Sequence, residues 1–435
     1  MAHPAVPTRA RYWVVVFAVS LAIIQFIDRV CISQAAPHLS ADLGLSKQQM
    51  GWVFSAFTLA YALFEIPTGY WGDRRGPRGV LIRVVSWWSC FTVATGLSWN
   101  WISLLIVRFL FGAGEAGCFP NLTKAFEKWL PRSERFRAQS IVWMSARWGG
   151  AVTPYLVFVV LTLVNWRMAF GIFGLLGLGW AVLFARWFRN EPRQHPSVNA
   201  AEAALLPPAR DEAAGGDLAA PWRLLLGRPA LWLLCGQYMA CCYGWFFFVT
   251  WFPTYLLEVH KYNLKEGAVL AGLPLFMGGI GAMLAGLVAP RLEARIGTKS
   301  GRRLLGVAGT LGAGGCLLTA TAVREPLLAV AAIAVASFCN DFILPVSWTT
   351  CMDIGGRYVG TVSATMNMMG NLGGVVSPVV LGYIVGRTAN WNLTFVITAV
   401  VYILGAACWW WLDPVTSLDT NQPVRVAKQR PTEAN

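Results

Sequence analysis

Twelve stretches of roughly 20 apolar residues recur along this chain, each the length a helix needs to cross about 30 Å of hydrocarbon. They fall near residues 12–35, 48–70, 79–98, 101–127, 137–162, 167–188, 229–257, 266–290, 303–322, 326–350, 358–386 and 391–412. In lipid, backbone N–H and C=O groups must be satisfied internally, so helices of this length imply an all-α membrane protein. Of 435 residues, 56% are hydrophobic and only 13% charged, about half the charged share of a soluble chain. The net charge of +14 does not call for nucleic acid, because the basic residues sit in loops between apolar runs.

The first run, RYWVVVFAVSLAIIQFIDRVCISQAAP, opens on Arg11 with Arg9 just before it, both ahead of an apolar core in the manner of a signal peptide. It is too long, lacks a small-residue cleavage site and contains Asp28 and Arg29, so it reads as a first transmembrane helix. Between the sixth and seventh runs lies NEPRQHPSVNAAEAALLPPARDEAAGGDLAAPW, a polar linker with a short interfacial helix expected at PWRLLL. The expected organisation is a tail (1–11), a six-helix bundle (12–188), a linker (189–228), a second six-helix bundle (229–412) and a tail (413–435). Lys and Arg concentrate in alternate loops, around Arg74, Arg132, Arg189 and Arg302, which puts both termini and the linker in the cytoplasm.

The halves repeat. GGAVTP (149–154) returns as GGVVSP (373–378), and NWRMAF (165–170) returns as NWNLTF (390–395). Two ordered matches at nearly one offset indicate a parallel duplication, the construction of alternating-access transporters, with substrate near the midplane. The ten cysteines show no CxxC spacing and read as small core residues; the four histidines fall in tails or loops. With no metal or nucleophile–base constellation, the chain is not expected to be an enzyme.

Ions inside the membrane segments are expensive and functional by default. The first helix carries Asp28 and Arg29; the fourth, RFLFGAGEAGCFPN, carries Arg108 and Glu115 on one face, about 10 Å apart along the axis. The fifth adds Arg147 and the tenth adds Asp341, which shares a face with Pro345 and Trp348. Arginines on three helices suit an organic anion, because the guanidinium grips carboxylates in two places and keeps its charge. Asp28, Glu115 and Asp341 cannot bind an anion directly but can carry protons. Arg147 is either a further substrate anchor or the partner of Asp341 across the cavity.

GYWGDRRGPR (69–78) joins the second and third helices, with Gly72 and Gly76 allowing a tight turn and Asp73 free to accept hydrogen bonds. This G-x-x-x-D-R-x-G-x-R loop resembles the signature of the major facilitator superfamily, and marks Asp73, Arg74, Gly72 and Gly76 as gating residues. In the second half GLVAPRLEARIG has Pro290 where the aspartate would be. FIDRVCIS, RFLFGAGEAGCFPN, WFPTYL (251–256) and CMDIGGRYVGTVSATMNMMGNLGG (351–374) resemble the anion:cation symporter family, which includes bacterial galactonate, glucarate and hexuronate symporters. That resemblance covers nearly the whole membrane portion. It implies a major facilitator fold of twelve transmembrane helices in two six-helix pseudo-repeat halves. It further implies proton-coupling roles for Asp28 and Glu115, roles at substrate and coupling sites for Arg29 and Arg108, and positions around a sugar acid for Tyr61, Trp348 and Asn367. Arg147 stands where the galactonate symporter has glutamine, and Pro345 where it has serine; the added cation favours a second carboxylate, as in glucarate or galactarate.

Together these readings predict a proton-coupled symporter of the bacterial inner membrane that imports an organic anion, foremost a sugar acid. It would be monomeric, with no cofactor beyond the coupling proton. The competing expectations are another carboxylate, aromatic or small aliphatic, and a non-transporting membrane sensor.

Overall fold

The computed structural model describes residues 6–207, 225–262, 264–388 and 390–418. Among them twelve helices are long and apolar enough to cross a membrane. Before the linker come α1 (Arg11–Leu43), α2 (Gln49–Arg75), α3 (Pro77–Gly96), α4 (Trp101–Trp129), α5 (Arg132–Leu163) and α6 (Trp166–Trp187). After it come α7 (Pro229–Thr250), α8 (Val269–Ile296), α9 (Thr298–Ala322), α10 (Pro326–Ile354), α11 (Gly356–Thr388) and α12 (Trp391–Trp411). The interfacial helix expected at 221–226 lies mostly outside the described residues, as do 208–224 and the end of the C-terminal tail, 419–435.

Three helices depart from their apolar runs. The first continues beyond residue 35, carrying His38 within it, because the stop signal is Gly44 in the left-handed region (φ 64°), not Pro37. Beyond the apolar run, Asp42 ties α1 to the start of α6: it accepts from Trp166 Nε1 (3.2 Å) and pairs with Arg167 (3.1 Å). The seventh ends at Thr250, and a separate short helix, Phe252–Glu258, begins with Pro253 in its first turn, where a missing N–H costs nothing. The fourth breaks at Ala116–Gly117 (Gly117 φ 81°) into Trp101–Glu115 and Cys118–Trp129.

The repeated motifs have one structural job each. Gly149 and Gly150 of α5 lie against Ile23 and Phe26 of α1, while Gly373 and Gly374 of α11 lie against Met239 and Phe246 of α7. Small residues allow this close helix approach in the two halves alike. Asn165 and Asn390 are N-caps, accepting from Met168 N (2.9 Å) and Leu393 N (3.2 Å) at the starts of α6 and α12.

On the side carrying the basic loops, the halves are in contact. Asp73, 4% exposed at the end of α2, accepts from Gly360 N (2.8 Å), Thr361 N (2.7 Å) and Thr361 Oγ1 (2.7 Å) at the start of α11. A carboxylate there complements the positive end of that helix. Lys124 lies 3.4 Å from Asp73 and donates to Arg357 O (3.0 Å). Asp353 of α10 meets Arg132 (3.0 Å) and Arg135 (3.7 Å) from the first half and Arg302 (2.5 Å) from its own. One expectation needs correcting: Gly76 (φ 76°) makes the turn, whereas Gly72 lies inside α2, where a Cβ would collide with Asn121 of α4. Arg74 is exposed, its guanidinium 5.9 Å from the Tyr70 ring.

Candidate functional site

A cleft lies between the halves, lined from α1, α2, α4 and α5 on one side and α7, α10 and α11 on the other. Nearly half of its lining residues are aromatic, with Phe26, Phe119, Trp143, Trp245 and Phe246 among them. The polar groups are few: Arg29, Tyr61, Arg147, Tyr238, Asn340, Asn367 and Asn371, besides the thiols of Cys241 and Cys242. On the basic side an aromatic stack underlies it: Phe119 and Trp143 are parallel with centroids 4.9 Å apart, and Trp348 packs on both at 6.0 and 5.6 Å.

Asp28 and Arg29 are neighbours in sequence but not in function. Successive helical residues point about 100° apart. Arg29 faces the cleft and places Nε 2.5 Å from Glu115 Oε1, with its guanidinium carbon 4.7 Å from the Tyr61 ring centre. Asp28, 1% exposed, turns into the bundle, where Oδ2 accepts from Trp88 Nε1 of α3 (3.0 Å). Glu115, fully buried, also accepts from Gln25 Nε2 (2.6 Å), one turn before Arg29 on α1. Gln25 was not singled out in the sequence; its i, i+4 relation to Arg29 is the signal that marks it.

Arg108 is 2% exposed and lies behind the cleft lining, with its guanidinium carbon 4.1 Å from the Phe111 ring. Among the described residues it makes no ion pair with Glu115, as their spacing on α4 implied, and its Nε and Nη1 have no hydrogen-bond partner. Asp28 Oδ1 and Glu115 Oε2 are likewise unpartnered. Buried polar atoms are normally satisfied, so this cluster holds several groups ready to take or give a proton or a hydrogen bond.

Glu65 of α2 is fully buried and joins the site. Its Oε2 accepts from Gly117 N (2.9 Å) at the α4 break, and its Oε1 accepts from Asn367 Nδ2 (2.6 Å) on α11. Asn367 Nδ2 also donates to Tyr61 Oη (3.2 Å). The α4 break therefore has its exposed N–H satisfied by a side chain that also touches the other half.

Of the expected substrate contacts, Arg29, Tyr61, Arg147 and Asn367 line the cleft. Trp348 does not: it is fully buried beneath the floor, donating to Tyr238 Oη (3.0 Å). Arg147 grips Asp341, Nε to Oδ2 at 2.5 Å and Nη2 to Oδ1 at 3.0 Å, so the partner alternative is the observed one. Trp143, one turn from Arg147 at i, i+4, and Trp245 of α7 were missed because aromatic residues are common throughout such helices.

The fold and the cleft define a two-bundle membrane transporter. The model of the Major Facilitator Superfamily matches residues 18–378, and the chain belongs to that family. It is 36% identical over 404 residues to a probable sulfoacetate transporter of Cupriavidus necator, covering 91% of this chain and 92% of that protein. It is 30% identical over 413 residues to a probable galactarate/D-glucarate transporter of Escherichia coli, covering 88% and 89%. A crystal structure of a bacterial homologue of the iron transporter ferroportin, in an outward-facing state, shares the fold with a TM-score of 0.72 at 13% identity, covering 92% of this chain and 98% of that one. The protein is a transporter and not an enzyme.

Proposed function

We propose that this chain is a proton-coupled symporter that imports an organic anion by alternating access, in a bacterial inner membrane with both termini cytoplasmic. The carrying observation is the Arg29–Glu115 pair at the cleft wall. A proton on Glu115 releases Arg29, and a substrate carboxylate takes its place. Proton and anion then favour the same state, which is the reciprocal condition for coupling. Asp28 and Arg108 sit behind this pair and complete the buried charge set. Sugar acids are the first substrate class, supported by the relatives and by Tyr61, Asn367 and Asn371 as hydroxyl partners. A small aliphatic acid is the second reading, favoured by the aromatic walls and by the sulfoacetate transporter of Cupriavidus necator.

Thermal stabilisation of the purified protein by galactarate, galactonate, glucuronate, sulfoacetate and phthalate tests the reading. The expected outcome is a rise in apparent Tm with at least one anion in the wild type and none with Arg29→Ala, which removes the charge-assisted bonds. An anion that stabilises both proteins equally would rule Arg29 out as the anchor.

A further inference from the structure

The Arg29–Glu115 exchange leaves a second buried pair unused. Arg147 belongs to α5, before the linker, and Asp341 to α10, after it, so this pair spans the two halves. A buried ion pair contributes little net stability over well-packed apolar residues, so its retention at a cleft wall calls for another reason. Asp341 is fully buried and has an auxiliary partner, Asn340 Nδ2 (3.0 Å), that stays with it if Arg147 leaves. From α8, Gly278 backs directly onto the carboxylate, and a Cβ there would overlap it. The other titratable groups around the pair are Tyr238, Cys241 and Cys242 of α7 and Tyr402 of α12.

Arg147 itself faces the cleft, under the Trp245 ring at 4.5 Å and beside the Trp143 ring at 5.7 Å. Both of those cleft-lining tryptophans have an indole N–H with no acceptor among the described residues. Three donor groups, one of them cationic, thus converge where no protein acceptor but Asp341 serves them. Ile23 and Phe26 of α1 lie level with Gly149 and Gly150 of α5, which sets Arg29 and Arg147 about 10 Å apart along the helix axes.

Building on the anion-symport reading, we propose that Arg147 is a second anion anchor held by Asp341, and that the second anionic group of a dianion displaces Asp341 from it. A monoanion engages Arg29 and leaves the pair closed. A dianion opens it, and in doing so releases a tie between α5 and α10. The cleft therefore selects hexarates over hexonates and sulfoacetate over acetate.

The test is calorimetric affinity for galactarate against galactonate and sulfoacetate against acetate, in wild type, Arg147→Gln, and the uncharged double variant Arg147→Gln/Asp341→Asn. The double variant leaves no unpaired buried charge and serves as the folding-competent control. The wild type is expected to prefer each dianion by about tenfold or more, and both variants to reduce that preference to about threefold or less, as loss of one charge-assisted contact implies. An unchanged dianion preference in both variants overturns the proposal and leaves the pair as a structural tie. Equal wild-type affinity for dianion and monoanion also overturns it, while the Arg29 reading survives. Failure of the wild type to bind any of the four anions overturns the symport reading itself, and this inference with it.

Discussion

Arg29 and Asp28 show how a helix separates neighbours that the sequence writes as a pair. Arg29 leans over Tyr61 and bonds Glu115, while Asp28 is held by Trp88 on the far side of α1. The intramembrane charges were legible from sequence because each stands out in an apolar run. The Arg147–Asp341 pairing was one of the two alternatives the sequence left open, whereas nothing in the sequence joined Arg29 to Glu115, 86 residues away. Glu115→Gln keeps an oxygen that accepts from Arg29 or Gln25 but carries no exchangeable charge. It is expected to preserve substrate counterflow in proteoliposomes and to cut proton-driven accumulation by about tenfold or more, since coupling requires a charge that changes. Uphill uptake at the wild-type rate would move the proton site elsewhere.

At the scale of elements, the described part of the linker is fastened to the first half. Glu202, fully buried in the short helix Ala200–Leu205, accepts from Thr8 Oγ1 (2.5 Å), Arg11 N (3.1 Å) and Arg11 Nη1 (3.0 Å). Arg11 also reaches Glu134 at the start of α5 (2.8 Å). His195 lies between the rings of Trp129 and Trp187 at 5.5 and 4.7 Å. Its Nε2 bonds Trp187 O (2.9 Å) and its Nδ1 accepts from Ser197 N (3.2 Å), an arrangement met by the neutral ring. Burial lowers the His195 pKa from its ordinary value of 6.5. The folded state thus binds a proton less readily than the unfolded one. This contribution to stability is complete above the unfolded pKa and is lost as pH falls through the folded value. The apparent Tm of the wild type is expected to drop between about pH 7 and pH 5, and that of His195→Gln to drop less. Parallel pH profiles would show that another group sets the slope. No apolar periodicity marks this clamp, because its energy lies in caps and one buried carboxylate, so a composition-based reading sees only a polar linker.

For the whole molecule, closure on the basic side depends on close approach of α2 and α11. Gly69 abuts Gly360 and Ala364, and Asp73 caps the same helix start. Gly69→Leu would wedge these helices apart. Amide hydrogen exchange over 356–362 is expected to quicken about tenfold, with a corresponding fall in transport rate, because a wedge of this size shifts the two-state balance by one or two kcal/mol. Unaltered exchange would place the closure elsewhere, with the Asp353 network the next candidate. The two halves do not close symmetrically. Where the first half sends Asp73 across, the second has Pro290 within α8, and its Arg302 joins Glu293 (3.1 Å) to Asp353 (2.5 Å).

The amino-acid pattern alone was enough to establish a twelve-helix membrane chain, its duplication and the positions of its buried charges. Those properties depend on local quantities: apolar length, repeated caps and glycines, and the cost of an ion in hydrocarbon. That Arg29 holds Glu115, that Trp348 lies under the floor instead of at the cleft, and that Glu65 seals the α4 break depend on contacts between helices far apart in the chain. Helix rotation and crossing decide such contacts. Periodicity along one strand of sequence carries no record of them, so they emerged only when the helices were packed.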